Sequence, residues 1–266
     1  MRPVDLKAFI ETLATQSGEA ILPFFRTTLS VQDKGREIAG AVFDPVTEAD
    51  RAAETIIRRR IKEAFPSHGI LGEEFDDERL DAEHVWVIDP IDGTRAFLCG
   101  LPVWGTLIGL MRNQSPVLGL MHQPYTGEIF IGDGGSAHVK GPRGLRELSV
   151  RPCERLEDAT LMTTDPRLFK GGEQVAYGAI EQSVKLARYG TDCYAYAMLA
   201  AGQVDLVIET GLKPYDIVAL IPIIEGAGGV VTTWAGESAK DGGRIVAAGS
   251  RALHMAALAH LSGVTT

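Results

Sequence analysis

The run Val85-Trp86-Val87-Ile88-Asp89-Pro90-Ile91-Asp92-Gly93-Thr94 is a short apolar stretch that ends in two carboxylates and a Gly-Thr pair. It reads as a strand leaving a core, then a turn fixed by Pro90, then a helix opened by Gly93 and Thr94, since proline locks its own φ. Two carboxylates so close in sequence repel unless a cation lies between them. With no Cys or His in the run, the donors are hard oxygens, which suit Mg2+ better than Zn2+. The Gly93 and Thr94 amides then stand where a phosphate bridging the metals can be held.

Around this run the texture changes along the chain. Leu6, Phe9, Ile10, Leu13, Ala14, Ala20, Ile21 and Phe24 recur at helical spacing, which predicts an amphipathic helix from residue 4 to about 28, perturbed by Pro23 in its last turn. Thr47 caps a second helix whose buried stripe is Ala52, Ala53, Ile56, Ile57, Ile61 and Phe65. The connection from Val31 to Pro45 contains Lys34, Gly35 and Gly40 and reads as flexible; Lys34 is expected on a mobile flap that reaches the site. From His84 to about Val150 the pattern is β-rich and meander-like, with strands at Val85 to Ile88, Trp104 to Met111, Val117 to His122 and Ile129 to Ile131. After Ala159 strands alternate with helices: Thr160 to Met162, a helix over Gly172 to Gln182, Val184 to Leu186, a helix over Asp192 to Ala201, Val204 to Glu209, a helix over Pro214 to Gly226, then Arg244 to Ala248 and a helix from Arg251. An α/β body of two lobes, about 1–150 and 151–266, follows.

With 266 residues, 45% hydrophobic and 23% charged, the chain has the balance of a globular protein able to bury a sizeable core. Its 26 Lys and Arg against 35 Asp and Glu give a net charge of −9, which speaks against nucleic-acid or anionic-membrane partners. Three cysteines, Cys99, Cys153 and Cys193, without a CxxC spacing suggest neither a disulfide framework nor a zinc knuckle. No apolar run approaches the roughly 18 residues of a membrane span, and Asp5, Glu11 and Glu19 are wrong for a cleaved signal, so a cytoplasmic protein is expected.

Glu73-Glu74, Asp89, Asp92 and Asp216 each lie at the end of a predicted strand or the start of a helix, positions that gather at one rim of an α/β body. Each also has an ordinary reading. Asp-Pro and Asp-Gly are common turn chemistry, Glu73-Glu74 after Gly72 suits a solvated loop, and Asp216 beside Pro214 favours a first helical turn through the dipole.

Order and spacing separate the readings. Asp44-Pro45-Val46-Thr47-Glu48-Ala49-Asp50, Gly72-Glu73-Glu74, Asp89-Pro90-Ile91-Asp92-Gly93-Thr94, and Pro214-Tyr215-Asp216 with Glu225-Gly226-Ala227-Gly228-Gly229 together resemble the inositol monophosphatase family over nearly the whole chain. The resemblance implies one domain over 1–266, an αβαβα layered sandwich, and Mg2+-dependent, lithium-sensitive hydrolysis of phosphate monoesters with two or three ions per site. It casts Glu73, Asp89, the Ile91 carbonyl, Asp92 and Asp216 as metal ligands. Thr94, paired with Asp50 and assisted by Glu73, orients the attacking water, Glu74 supports the metal shell, and Gly93 and Thr94 hold the phosphate. Family members are commonly homodimers. Tyr215 departs from the family's usual Trp, while the aspartate after it remains.

Arg95-Ala96-Phe97, the stretch Arg188-Tyr189-Gly190-Thr191-Asp192-Cys193-Tyr194-Ala195-Tyr196, and Gly211-Leu212-Lys213-Pro214 resemble the histidinol-phosphate phosphatase branch. Where inositol-phosphate enzymes typically carry a small apolar residue, this chain has Asp192, a carboxylate able to pair with the ammonium of histidinol. Glu209 matches a position that contacts the alcohol portion. The ordinary reading of Asp192 is a helix N-cap, and Trp104 and Tyr194 read more readily as packing than as imidazole partners. The alternatives are an inositol-1-monophosphatase or a broad sugar-phosphate phosphatase, and a homologue that kept the fold without turnover. An aspartyl-nucleophile DxDxT phosphatase fails on spacing, and Gly226-Ala227-Gly228-Gly229 lacks the strand-turn-helix context of a dinucleotide loop.

Overall fold

In this computed structural model the described residues are 5–28, 32–33 and 45–264. Helix α1 (Leu6–Ile21) starts at Asp5, whose carboxylate accepts the Lys7 and Ala8 amides, and it gives way at Leu22–Phe24 to a tighter 3-10 turn around Pro23. Two-residue strands β1 (Gln32–Asp33) and β2 (Pro45–Val46) pair antiparallel. Apart from Gln32, Asp33 and Pro45, the expected flap, Lys34 included, lies outside the described residues. Helix α2 (Glu48–Ala64) opens on a capping box: the Thr47 backbone N–H donates to the Asp50 carboxylate at 2.8 Å.

The strands β3 (Gly69–Gly72), β4 (His84–Asp92), β5 (Gly105–Arg112), β6 (Ser115–Gln123), β7 (Glu128–Gly132), β8 (Ala137–Gly141) and β9 (Gly144–Glu147) form one sheet in sequence order. Only the β3–β4 pair in it is parallel. A short helix α3 (Thr94–Leu98) leaves the end of β4. The second sheet has the order β11-β10-β12-β14-β13, from β10 (Thr160–Thr163), β11 (Leu186–Tyr189), β12 (Leu206–Leu212), β13 (Val230–Thr233) and β14 (Gly243–Ala248). Helices α4 (Gly172–Ser183), α5 (Asp192–Ala200), α6 (Pro214–Ile217), α7 (Leu220–Gly226) and α8 (Arg251–Leu261) accompany it.

The alternation of side chains along strands sorts these elements into five layers. On β4, Trp86 and Ile88 face Ile10, Leu13, Ile57 and Ile61 of α1 and α2. From the other face of the first sheet, Leu107, Met121 and Phe130 meet Ala195, Tyr196 and Leu199 of α5 and Leu220, Ile223 and Ile224 of α7. Val207, Ile245 and Ala247 press on those helices from the second sheet, while Leu206, Ile208, Val246 and Ala248 point outward onto Ala176, Ile180, Leu253 and Ala257 of α4 and α8. The order is therefore helices, sheet, helices, sheet, helices, the αβαβα sandwich.

One row of glycines lets the middle layer approach. Gly109, Gly119 and Gly132 are mutual partners across β5, β6 and β7. A Cβ on Gly119 would lie 1.8 Å from the Ala219 carbonyl oxygen, and one on Gly132 would lie 2.4 Å from that of Pro222. The strands β3, β8, β9 and β13 and the short pair β1 and β2 join the expected ones, and the single helix expected over Pro214 to Gly226 is divided at 218–219. Pro222 has no N–H to give the Val218 carbonyl, which accounts for the break.

Candidate active site

The strand β4 runs through Pro90 to Asp92, where the sequence pattern placed a turn. Its pairing shifts by one residue: Asp89 faces Leu107 and Asp92 faces Gly105, three steps on one strand against two on the other. In a regular strand residues three apart point to opposite faces; the extra residue of this β-bulge brings Asp89 and Asp92 to the same side. Pro90 suits the bulge because it has no amide to offer a neighbour, and its carbonyl accepts the Thr106 hydroxyl at 2.8 Å. A second bulge, between Glu209 and Leu212 on β12, precedes α6 and Asp216.

Carboxylate oxygens of Asp89, Asp92 and Asp216 all lie within 4.8 Å of one another. Asp89 is fixed by the Ile91 amide at 3.1 Å, Asp92 by the Cys193 amide at 2.6 Å, and Asp216 by the Lys213 amide at 2.6 Å. Glu73 leaves β3 next to the end of β4, its amide donating to the Ile88 carbonyl at 3.2 Å, and its side chain hydrogen-bonds Asp89. These four acids, Ile91, Gly93, Thr94, Asp192 and Glu209 line one cavity of about 420 Å3. A larger open depression of about 670 Å3 lies on the outer side of α2 beside Arg58 and Phe75, but it gathers no such acidic cluster.

Burial raises Asp89 well above the usual carboxylate range, and Glu73, Asp92 and Asp216 add to the shift. Burial likewise raises Asp92, with Asp192 and Asp216 contributing, and Asp216 is pushed up to about 7 mainly by burial. All three shifts have the sign of anions crowded in low-dielectric surroundings, and a bound cation supplies the charge that reverses them. The Cys193 thiol is pushed up by burial and by Asp92, so it stays protonated and offers no thiolate. The donor set is thus all oxygen, which fits a hard divalent cation such as Mg2+.

Gly93 turns the chain from β4 into α3 with φ +84, and its Cα side faces Asp192: a Cβ there would lie 3.1 Å from Asp192 Cβ. Asp192 itself has φ +42 and is the first residue of α5, so the capping position belongs to Thr191 and the N-cap reading of Asp192 does not hold. Burial pushes its carboxyl up to about 6, against the pull of Arg95 and a Thr164 hydrogen bond. Glu209, buried at the bulge of β12, accepts the Thr164 amide at 2.6 Å, the Thr164 hydroxyl at 3.0 Å and the Thr163 hydroxyl at 3.2 Å; burial raises it to about 8.

Asp50 and Thr94 are otherwise engaged in this structure. Asp50 Oδ2 accepts the Thr47 amide and hydroxyl, burial raising it to about 6, and Thr94 Oγ1 donates to the Ile91 carbonyl at 3.1 Å. The Glu74 amide donates to Glu54 Oε2 at 2.8 Å. Trp104 is fully buried against Phe25 and Phe97, and the Tyr194 hydroxyl donates to Glu128, so both are packing residues away from the cavity. Thr164 and Lys213 also line the cavity. Their signal in the sequence was position alone: Thr164 follows a strand end, and Lys213 stands three residues before Asp216.

The inositol monophosphatase family model matches residues 4–266, and the chain belongs to this family of metal-dependent phosphatases. It is 43% identical over 261 residues to the chloroplastic bifunctional phosphatase IMPL2 of Arabidopsis thaliana, covering 94% of this chain and 72% of that protein. It is 32% identical to a histidinol-phosphatase of Chlorobaculum parvum, covering 92% of each. The solved structure of an inositol monophosphatase from Zymomonas mobilis superposes with a TM-score of 0.84 at 38% identity, over 96% of both chains.

Proposed function

We propose that this phosphatase hydrolyses L-histidinol phosphate to L-histidinol and phosphate, as a Mg2+-dependent enzyme of histidine biosynthesis. The observation that carries the reading is the placement of the Asp192 carboxylate in the wall of the same cavity that gathers Asp89, Asp92 and Asp216. In this reading Glu73, Asp89, the Ile91 carbonyl, Asp92 and Asp216 hold two or three Mg2+ ions. Mg2+ held there supplies Lewis acidity toward the phosphate oxygens and makes water nucleophilic near neutral pH.

The chain's own groups do the rest. The Gly93 and Thr94 amides hold the phosphate, and the bulge of β4 keeps Asp89 and Asp92 on one side of the strand. Thr94, with Asp50 and Glu73, orients the water; reaching Asp50 requires the Thr94 hydroxyl to turn from the Ile91 carbonyl. The water oxygen forms the new P–O bond as the ester P–O bond breaks, and a proton ends on the departing alcohol. Glu74 steadies the residue before it through its amide bond to Glu54. Asp192 and Glu209 receive the amino alcohol: a cationic ammonium favours the charged form of Asp192, and a substrate without it leaves the half-buried carboxylate with only Arg95 and Thr164 to stabilise its charge. Three of the acceptor positions of Glu209 are taken by Thr163 and Thr164, so Asp192 is the freer partner.

The reading includes a cytoplasmic homodimer inhibited by lithium. An inositol-1-monophosphatase has support in the Zymomonas mobilis similarity, and Asp192 distinguishes the two. Asp192→Ala should lower kcat/KM for histidinol phosphate about 10²-fold or more and leave turnover of myo-inositol 1-phosphate undiminished. An equal effect on both esters contradicts the assignment.

A further inference from the structure

We infer that Glu54 and Arg58 of α2 form a positioning unit that fixes Glu73 at the acidic cluster and so sets how strongly the site holds its metal. The inference rests on the reading of Glu73 as a metal ligand. Neither residue lines the catalytic cavity; both act through the backbone that carries Glu73.

Glu54 is fully buried and Arg58 is 6% exposed, one helical turn apart. Glu54 Oε1 accepts Arg58 Nε at 2.6 Å, and Glu54 Oε2 accepts the Glu74 amide at 2.8 Å. The guanidinium fork of Arg58 continues outward, donating to the Phe75 and Asp76 carbonyls, each at 2.9 Å. On the other side of the same segment, the Glu73 amide is held by the Ile88 carbonyl of β4. Four successive residues, 73 to 76, are thus each tied by a backbone group, three of them to this one pair.

The fit leaves no slack. A Cβ on Gly72 would lie 2.0 Å from Glu54 Oε1 and 2.6 Å from Arg58 Nη2, so only glycine lets the end of β3 rest against the pair. A buried ion pair is a costly way to fill a core, and apolar residues of similar volume often serve stability as well. What this pair supplies, and an apolar pair does not, is a donor and acceptor array aimed at successive backbone groups. Groups behind a ligand commonly govern metal affinity in this manner.

Glu54→Gln tests the idea at constant volume, because an amide turns its NH2 toward one of the two donors that the carboxylate now accepts. Arg58→Lys keeps the charge and loses the fork. Ile57→Val, a core substitution on the same helix, controls for stability alone. For both test variants half-saturating Mg2+ for phosphate release should rise about tenfold, with kcat at saturating Mg2+ close to that of the unaltered protein. Without substrate, Mn2+ binding read from the EPR signal of the free ion should weaken by a similar factor, and the Glu74 amide should exchange faster. Ile57→Val should lower Tm and move neither metal reading. A lower Tm with unchanged Mg2+ and Mn2+ dependence overturns the positioning role, and if Glu54→Gln does not fold, Arg58→Lys decides by the same readings. Glu73→Gln separates the two layers. Weakened metal binding there, with none in the α2 variants, overturns only the positioning role, whereas unchanged binding overturns the ligand reading and this inference with it.

Discussion

The Cys193 amide donates to Asp92 Oδ2 at 2.6 Å, which pins the first turn of α5, in the middle layer, to the bulged end of β4 in the first sheet. Asp92 therefore has a structural bond and a charge, and the two can be separated. In Asp92→Asn the side-chain oxygen still accepts the Cys193 amide while the charge is gone. Phosphate release should fall about 10²-fold or more, since even groups behind a ligand cost up to that, and Tm should stay level or rise as crowding among carboxylates eases. Phosphate assay and thermal melting check both halves. Undiminished release would remove Asp92 from the metal site and contradict the metal-dependent mechanism proposed for it.

The row of glycines makes a prediction about the fold alone. Gly119→Ala places a methyl group 1.8 Å from the Ala219 carbonyl oxygen, backbone against backbone, with no flexible side chain to yield. The sheet and α7 must separate, at a cost of about 2 kcal/mol or more. Urea unfolding measures it, and a loss under roughly 0.5 kcal/mol, the scale of a neutral surface change, would show that the layers are not packed as described.

His122 should make stability fall in mild acid. Its ring is buried, Nδ1–H donates to the Ala14 carbonyl at 2.9 Å, and burial lowers its pKa from 6.5 to about 4. Above pH 6.5 the ring is neutral folded and unfolded, so the stability is present in full. Below 6.5 the unfolded chain takes up the proton first, and stability drops until the folded ring protonates near pH 4, by about 3 kcal/mol in all. His68 and His254 are lowered too, in the same sense. The test is therefore the difference between the unaltered protein and His122→Gln, which keeps a donor for Ala14: the gap in unfolding free energy should narrow from pH 7 to pH 4. A gap constant with pH would contradict the assignment.

Helical spacing and β-rich runs made most of the long elements legible, whereas the layer order and the acid cluster were implied by the resemblance carried on Gly72-Glu73-Glu74, Asp89-Pro90-Ile91-Asp92-Gly93-Thr94 and Pro214-Tyr215-Asp216. Which face each residue of the continuous apolar runs takes, Val207 against Leu206 and Ile208 or Trp86 against Val85 and Val87, was not legible, because both faces of those strands are covered. The bulge at Pro90 was not legible. Its cause lies in the pairing of β4 with β5, and a period of two read along one strand cannot see an extra residue opposite its neighbour. The four residues of β3, Gly-Ile-Leu-Gly, are too few for a pattern, yet they carry the chain to Glu73. Asp50 and Thr94 show the other limit: the resemblance implied that they pair, while the Thr47 capping box and the Ile91 carbonyl hold them in this structure. Glu54 and Arg58 lie off the apolar stripe that helical spacing gives α2 and are nevertheless buried, because the backbone they bind comes from residues 74–76, remote in sequence.

The substrate assignment turns on one comparison: Mg2+-dependent phosphate release from L-histidinol phosphate and from myo-inositol 1-phosphate at equal concentration, with an EDTA control. The half-buried Asp192 carboxylate in the cavity wall predicts a strong preference for histidinol phosphate, with release abolished by EDTA. Equal or faster release from the inositol ester would contradict the role given to Asp192 while leaving the metal site in place, and release indifferent to EDTA would contradict the metal-dependent chemistry itself.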